Sequence, residues 1–125
     1  MQIETAIQSR LTGYAPLTAR VPAARIRTDG EHVDIAPPYI VHGMSNERVT
    51  TMYGGRLGLR IAEYDATICA RDIDEAYEIS DLVVEAATAA ASDGVQVIPQ
   101  TRTRQYDVDA RLWVAMVRFS VAYLP

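Results

Sequence analysis

LGLRIAEYDATICARDIDEAYEISDLVVEAATAAA, residues 57–91, decides how this chain is read. It passes from an alternating segment, through a capping signal, into one long amphipathic segment. In the second part Ala76, Ile79, Val83, Ala86, Ala87 and Ala90 fall on one side at 100° per residue. Asp74, Glu78, Asp81 and Glu85 fall together on the other side. Asp72 is a good N-cap, and Glu75 three residues later completes a variant of the capping box. Gly94 stands where a left-handed C-cap is expected. The spacing therefore predicts one long helix.

The segment before it predicts a strand. Arg60, Ala62, Tyr64, Ala66, Ile68 and Ala70 share one parity, and Glu63, Asp65 and Thr67 the other, the pattern of a strand with one covered face. Leu57, Leu59 and Ile61 sit on the opposite parity, so a bulge or a loop-to-strand change is expected near Ile61.

Working outward, Ile3, Ala6, Ile7 and Leu11 repeat at helical spacing, and Gly13 ends a helix over about residues 2–12. Residues 14–38 are broken by Pro16, Pro22, Pro37 and Pro38. Arg25-Ile26-Arg27 and His32-Val33-Asp34-Ile35 suggest a small hairpin around the Asp29-Gly30 turn. Residues 39–46 (YIVHGMSN) read as a central strand, and residues 46–58, with Gly54, Gly55 and Gly58, as a mobile loop. Val95 to Ile98 begin another strand, continued past Pro99 by residues 101–104; the proline favours an edge or a bulge. Residues 105–111 form a polar connector. In the last strand, residues 112–124, Trp113, Ala115, Val117, Phe119, Val121 and Tyr123 share one parity. Leu112, Val114 and Met116 make its start apolar on both faces, so cover on both sides is expected there, the second from a neighbouring subunit if the protein is oligomeric.

The expected fold is α+β, a single domain over residues 1–125. An antiparallel sheet of about four main strands carries two helices on one face, with the small hairpin beside it. A chain of 125 residues is long enough for one core, and 49% hydrophobic with 22% charged residues argues against general disorder. A net charge of -4 argues against a sequence-specific nucleic-acid binder. No apolar run approaches the ~20 residues of a membrane span. The start, MQIETAIQSRL, lacks a signal peptide's regions, so a soluble protein made in the cytoplasm is expected.

Little in the chain points to catalysis. YGGRLGLR lacks the lysine of a phosphate loop and the spacing of a dinucleotide fingerprint, so it reads as a flexible loop. His42 lies in a strand without a His, Asp or Glu at metal-ligand spacing. Cys69, the sole cysteine, reads as a small core residue. No catalytic, cofactor or metal residue is assigned.

The acidic stripe allows three readings. Asp74, Glu78, Asp81 and Glu85 form a solvated face, or meet arginines of an adjacent subunit or another protein, or line a channel along which DNA slides without sticking. All twelve basic residues are arginine, a side chain suited to bidentate contacts across interfaces. Arg102, Arg104 and Arg111 form the local basic cluster, of the right sign to meet the stripe.

As a whole the chain resembles the tail terminator, or tail-completion, proteins of long-tailed bacteriophages and phage-like particles. The resemblance rests on the amino-terminal ETAIQSRL, the following TARVPAARIR, the strand PPYIVHGMS, the unit RIAEYDATICARDIDEAYEISDLVVEAA and the ending RTRQYDVDARLWVAMVRFSVAYL. It implies a non-enzymatic virion protein of the tail or neck, made in the host cytoplasm. Such proteins form a ring, usually a hexamer, on the last ring of the tail tube. They stop tube polymerisation and bind the head connector, or stopper, around a channel that DNA crosses without sequence-specific binding. The polar segments 30–38 and 48–58 would then supply adaptable contacts, with Arg48, Tyr53, Gly54, Gly55 and Arg56 in the assembly loop. Two other readings stay open: another connector or neck ring protein of the same particle, and a small ferredoxin-like ligand-binding domain.

Overall fold

The computed structural model describes residues 3–28, 36–51, 57–89 and 93–123. Helix α1 (Ile3–Thr12) leads into a short helix α2 (Ala15–Thr18), a 3-10 turn (Ala23–Arg25) and strand β1 (Ile26–Thr28). Strands β2 (Tyr39–Thr51) and β3 (Leu57–Ala70) follow, then helix α3 (Ile73–Thr88) and strands β4 (Gln96–Asp107) and β5 (Leu112–Tyr123). The five strands form one sheet in the order β1-β2-β3-β5-β4.

The core lies between the helices and one face of this sheet. Ala62, Tyr64, Ala66, Ile68 and Ala70 on β3 and Ala115, Val117, Phe119, Val121 and Tyr123 on β5 are buried there, as their parity predicts. Helix α1 lies over β1 and β2, and α3 over β3, β5 and β4. Ile3, Ala6, Ile7 and Leu11 of α1 meet Ala76, Ile79, Val83, Ala86 and Ala87 of α3 in one cluster. Small alanines on α3 let the helix sit close to the sheet, while Tyr64 and Phe119 fill the space between.

Several expectations are met and several are corrected. The carboxylate of the N-cap Asp72 accepts from the Asp74 backbone N–H at 3.2 Å. Glu75 makes no reciprocal bond among the described residues, so the capping box is half formed. Gly94 is left-handed, at φ +75°, but it does not cap α3: the helix closes at the extended Ala89, and Gly94 serves the turn into β4. The sheet is mixed rather than antiparallel, because β1 pairs parallel with β2, Ile26 opposite Ile40 and Thr28 opposite His42. Arg25 belongs to the 3-10 turn, and the other half of the expected hairpin, residues 32–35, lies outside the described residues.

Strand β2 runs on to Thr51, so residues 46–51 are paired strand and not loop. Its ladder with β3 slips between Met44 and Asn46, where Ser45 is the extra residue, and again where Val49 and Thr51 face Arg60 and Leu57. The second irregularity falls close to the expected place beside Ile61. Strand β4 is an edge strand with a register shift between Pro99 and Thr101, as the proline predicts. It extends through the expected connector to Asp107, leaving only a turn at residues 108–111.

Gly13 is fixed by space. A Cβ there would lie 2.9 Å from the Ser9 carbonyl oxygen, whose own partner is the Gly13 N–H at 2.9 Å. Replacing glycine by alanine ordinarily gains about 0.4–1 kcal/mol through the unfolded chain. Here the clash with a backbone atom, at about 1–3 kcal/mol, outweighs it. Gly13→Ala should lower the midpoint of urea unfolding; an unchanged or raised midpoint would contradict the geometry.

Candidate assembly surfaces

The acidic stripe of α3 is answered largely from within the chain. Arg20, after α2, pairs with Glu78 at 2.8 Å. The phenol of Tyr14 donates to Glu85 at 2.8 Å, and that carboxylate holds the Tyr14 pKa above its ordinary value. Arg102 on β4 pairs with Asp81 and donates to the Ser80 hydroxyl at 3.0 Å. Its guanidinium also lies 4.6 Å from the centre of the Tyr77 ring, with Arg104 at 5.6 Å. Asp74 lies exposed in the first turn of the helix, where the macrodipole favours negative charge.

Basic cluster and acidic stripe thus do meet, but at Asp81 and Arg102 of one chain. The strand-to-helix distance could not be read from sequence spacing. These pairs sit at the surface, Asp81 being 65% exposed, and such pairs contribute at most about 1 kcal/mol. Asp81→Asn and Glu78→Gln should each shift stability by less than about 1 kcal/mol, with the difference vanishing in high salt. A larger, salt-resistant loss in urea titrations would show that these groups do more than pair at the surface.

Arg111 occupies the exposed turn after β4, in a left-handed conformation at φ 56°. Arg102 and Arg104 lie along β4 itself. Arg48 is exposed on β2, opposite Ile61. The rest of the expected assembly loop, Tyr53, Gly54, Gly55 and Arg56, lies outside the described residues.

A cleft between α3 and β4, with a volume of about 580 Å³, is lined by Asp81, Val84, Glu85, Pro99, Arg102 and Val117 among others. Asp81 and Arg102 bond to each other instead of converging on the space. Among the described residues no group of three His, Cys, Asp or Glu side chains is placed to hold a metal ion, and no helix is long and apolar enough to cross a membrane. Burial pushes the Cys69 thiol pKa up, which keeps it protonated. Its hydrogen bond with Tyr39, together with burial, raises that phenol to about 12.

The sheet face away from the helices carries no covering element among the described residues. Arg118 on β5 reaches across to Asp65 on β3 at 2.9 Å, and its pKa is raised by that carboxylate. Glu63 lies 3.9 Å from the same guanidinium. Around this group the face carries half-buried Val41, Ile61, Leu112, Val114 and Ala122 and exposed Ile98 and Met116. The start of β5, expected to be covered on both sides, is covered on one side only among the described residues.

Two buried polar arrangements carried little sequence signal. The Arg10 guanidinium, with its side chain 6% exposed, donates to the Ala87 carbonyl at 2.7 Å and the Val95 carbonyl at 2.6 Å. It also holds both carboxylate oxygens of Asp93, at 2.7 and 3.2 Å, which lowers the Asp93 pKa. The fully buried His42 lies within 2.6 Å of both the Tyr64 hydroxyl and Gln8 Oε1. Gln8 Nε2 donates to the Ile26 carbonyl at 2.9 Å, which turns its Oε1 toward the ring. His42 therefore carries its proton on Nε2, and Nδ1 accepts from Tyr64.

This is an α+β fold of one mixed sheet covered by helices on one face. No protein-family model matches the chain, and no curated protein matches it. A solved structure does: a chain from the virion of a native gene transfer agent particle has the same fold, with a TM-score of 0.74 at 15% sequence identity. The match covers 97% of this chain and 93% of that one.

Proposed function

We propose that this chain is a structural protein of a phage-like virion, acting at the end of the tail. Identical subunits form a ring, a hexamer in the reading favoured here. The ring caps the tail tube, ends its polymerisation and offers its far side to the head connector. DNA passes through its centre without being read. Tube protein, connector and neighbouring subunits are the partners, and the role involves no catalysis.

The observation that carries this reading is the fold shared, nearly end to end, with a chain of a gene transfer agent virion. The bare sheet face and the long edge strand β4 support it, since a ring subunit needs extended contact surfaces on several sides. A ligand-binding domain would instead bring free polar groups together in a pocket. In the α3–β4 cleft Asp81 and Arg102 are bonded to each other.

The test is negative-stain microscopy of particles assembled with and without the gene. Overlong tails, whether or not they join heads, are expected in its absence. Tails of normal length, joined and infectious, would overturn the proposal. Normal-length tails that stay unjoined would move the protein to another ring of the neck.

A further inference from the structure

We infer that neighbouring copies join by edge pairing, with β4 of one subunit laid antiparallel along the part of β2 that lies beyond β1. This rests on the ring reading and names the surfaces that make the ring.

The argument begins with the edges. Strand β4 is 12 residues long and lies at the rim of the sheet. Natural edge strands are blunted by short length, lysine, proline, bulges or a covering element. In β4 the proline and the register shift are confined to Pro99–Thr101. Residues 101–107 contain neither proline nor lysine and are exposed throughout. Yet the strand is held in place from the helix side, by Arg102 on Asp81 and Tyr77 and by Tyr106 edge-on to Trp113 at 5.1 Å. It is an ordered edge whose outer backbone groups meet no strand among the described residues.

The opposite rim has the matching half. Strand β1 pairs only with Ile40, Val41 and His42, so residues 43–51 of β2 form the outer edge of the described sheet there. Strand direction then fixes the geometry. Each of β2–β3, β3–β5 and β5–β4 is antiparallel, so β2 and β4 of one chain run in opposite directions. Copies related by rotation about one axis would therefore meet β4 to β2 as an antiparallel pair, the more stable kind. To clear β1, the neighbour must be offset along the strands, which is the stagger a closing sheet requires.

Charge agrees on both faces. Glu47 on β2 faces the helix side, opposite buried Ala62, where Tyr123 donates to it and Arg60 lies 3.9 Å away. Arg104 on β4 faces the same side, opposite Ala115, while Arg102 is taken up by Asp81. On the bare face, β2 presents Arg48 and β4 presents Asp107. In the register that sets Gln105 opposite Arg48, Arg104 lies diagonal to Glu47 and Asp107 diagonal to Arg48, so both rows bring unlike charges within reach. A two-fold pairing of β4 with itself would instead set Arg102 and Arg104 against their own copies.

The test uses cysteine pairs in assembled particles. Asn46→Cys is combined in turn with Thr103→Cys, Gln105→Cys and Asp107→Cys, all on the bare face. The buried Cys69 is left in place. Mild oxidation should give a ladder of multimers on non-reducing gels in at least one combination, and monomer in every single variant. Particles that contain the protein but yield no ladder overturn the inference, and so does a dimer from Thr103→Cys alone. A second measurement needs no cysteine: Arg48→Asp should reduce incorporation at least tenfold, and Asp107→Arg added to it should restore most of that loss. Normal incorporation of both single variants would count against the junction. The two proposals fail separately: a tail defect without the gene but no cross-link sinks only the edge pairing, whereas normal joined tails without the gene sink the ring reading.

Discussion

Arg10→Ala should cost about 3–5 kcal/mol of folding stability, the largest single-site loss expected outside the apolar core. The guanidinium ties α1 to the end of α3 through the Ala87 carbonyl and to the entry of β4 through Asp93 and the Val95 carbonyl. Truncation removes those bonds together and leaves a partly buried carboxylate and two carbonyl groups without their donor. Arg10→Lys should recover less than half, because an ammonium cannot span acceptors on three sides as a planar fork does. Urea titration at neutral pH measures both. A loss below about 1 kcal/mol for the alanine variant would mean that water replaces the guanidinium, and the clamp would then be incidental.

Acid should weaken the fold through His42. Burial lowers its pKa to about 4 in the fold, against about 6.5 for a histidine in an unfolded chain. As pH falls, the unfolded state takes up the proton first. The stabilisation is therefore complete above pH 6.5 and is lost progressively down to about pH 4, by roughly 2–4 kcal/mol. Protonation would also require Nδ1 to donate where it now accepts from Tyr64. His42→Gln, which does not titrate, should be less stable at pH 7 yet show a flatter profile between pH 6.5 and 4. The lowered Asp93 pKa acts in the same direction, but its loss sets in only as pH falls through the ordinary aspartate value of 3.8, at the foot of that window. Parallel slopes for the two proteins would refute the assignment.

Where burial alternates cleanly with exposure, the chain could be read in advance. The apolar stripe of α3 and the two parities of β3 and β5 are direct products of covering one face, and they place the core residue by residue. The second half of β2 could not be read this way. Its sequence, SNERVT, is polar on both faces, and only pairing with β3 makes it a strand. The parallel partnership of β1 is likewise invisible locally, since nothing in Ile-Arg-Thr specifies a partner across an intervening turn. Among the site residues, Arg102 and Asp81 had the right signs to meet, but whether they did so within or between chains depends on the path of β4. Arg10 had a faint signal that charge concealed: it follows Ile3 by seven residues, on the buried stripe of α1. His42, two residues after the buried Ile40, shared the covered parity in the same way.

The place of β5 has a consequence for how the chain comes to be folded. It is the last strand in sequence, yet it lies inside the sheet, between β3 and β4. Until it emerges from the ribosome, β3 has one neighbour and β4 has none in the sheet. The nucleus must therefore close contacts between segments far apart in the chain, which makes for slow folding. Nascent chains would wait with one edge of β3 unpaired, at risk of sticking to one another. A fragment stopped before β5 would lack the strand that joins β3 to β4, and with it the sheet needed to join an assembly.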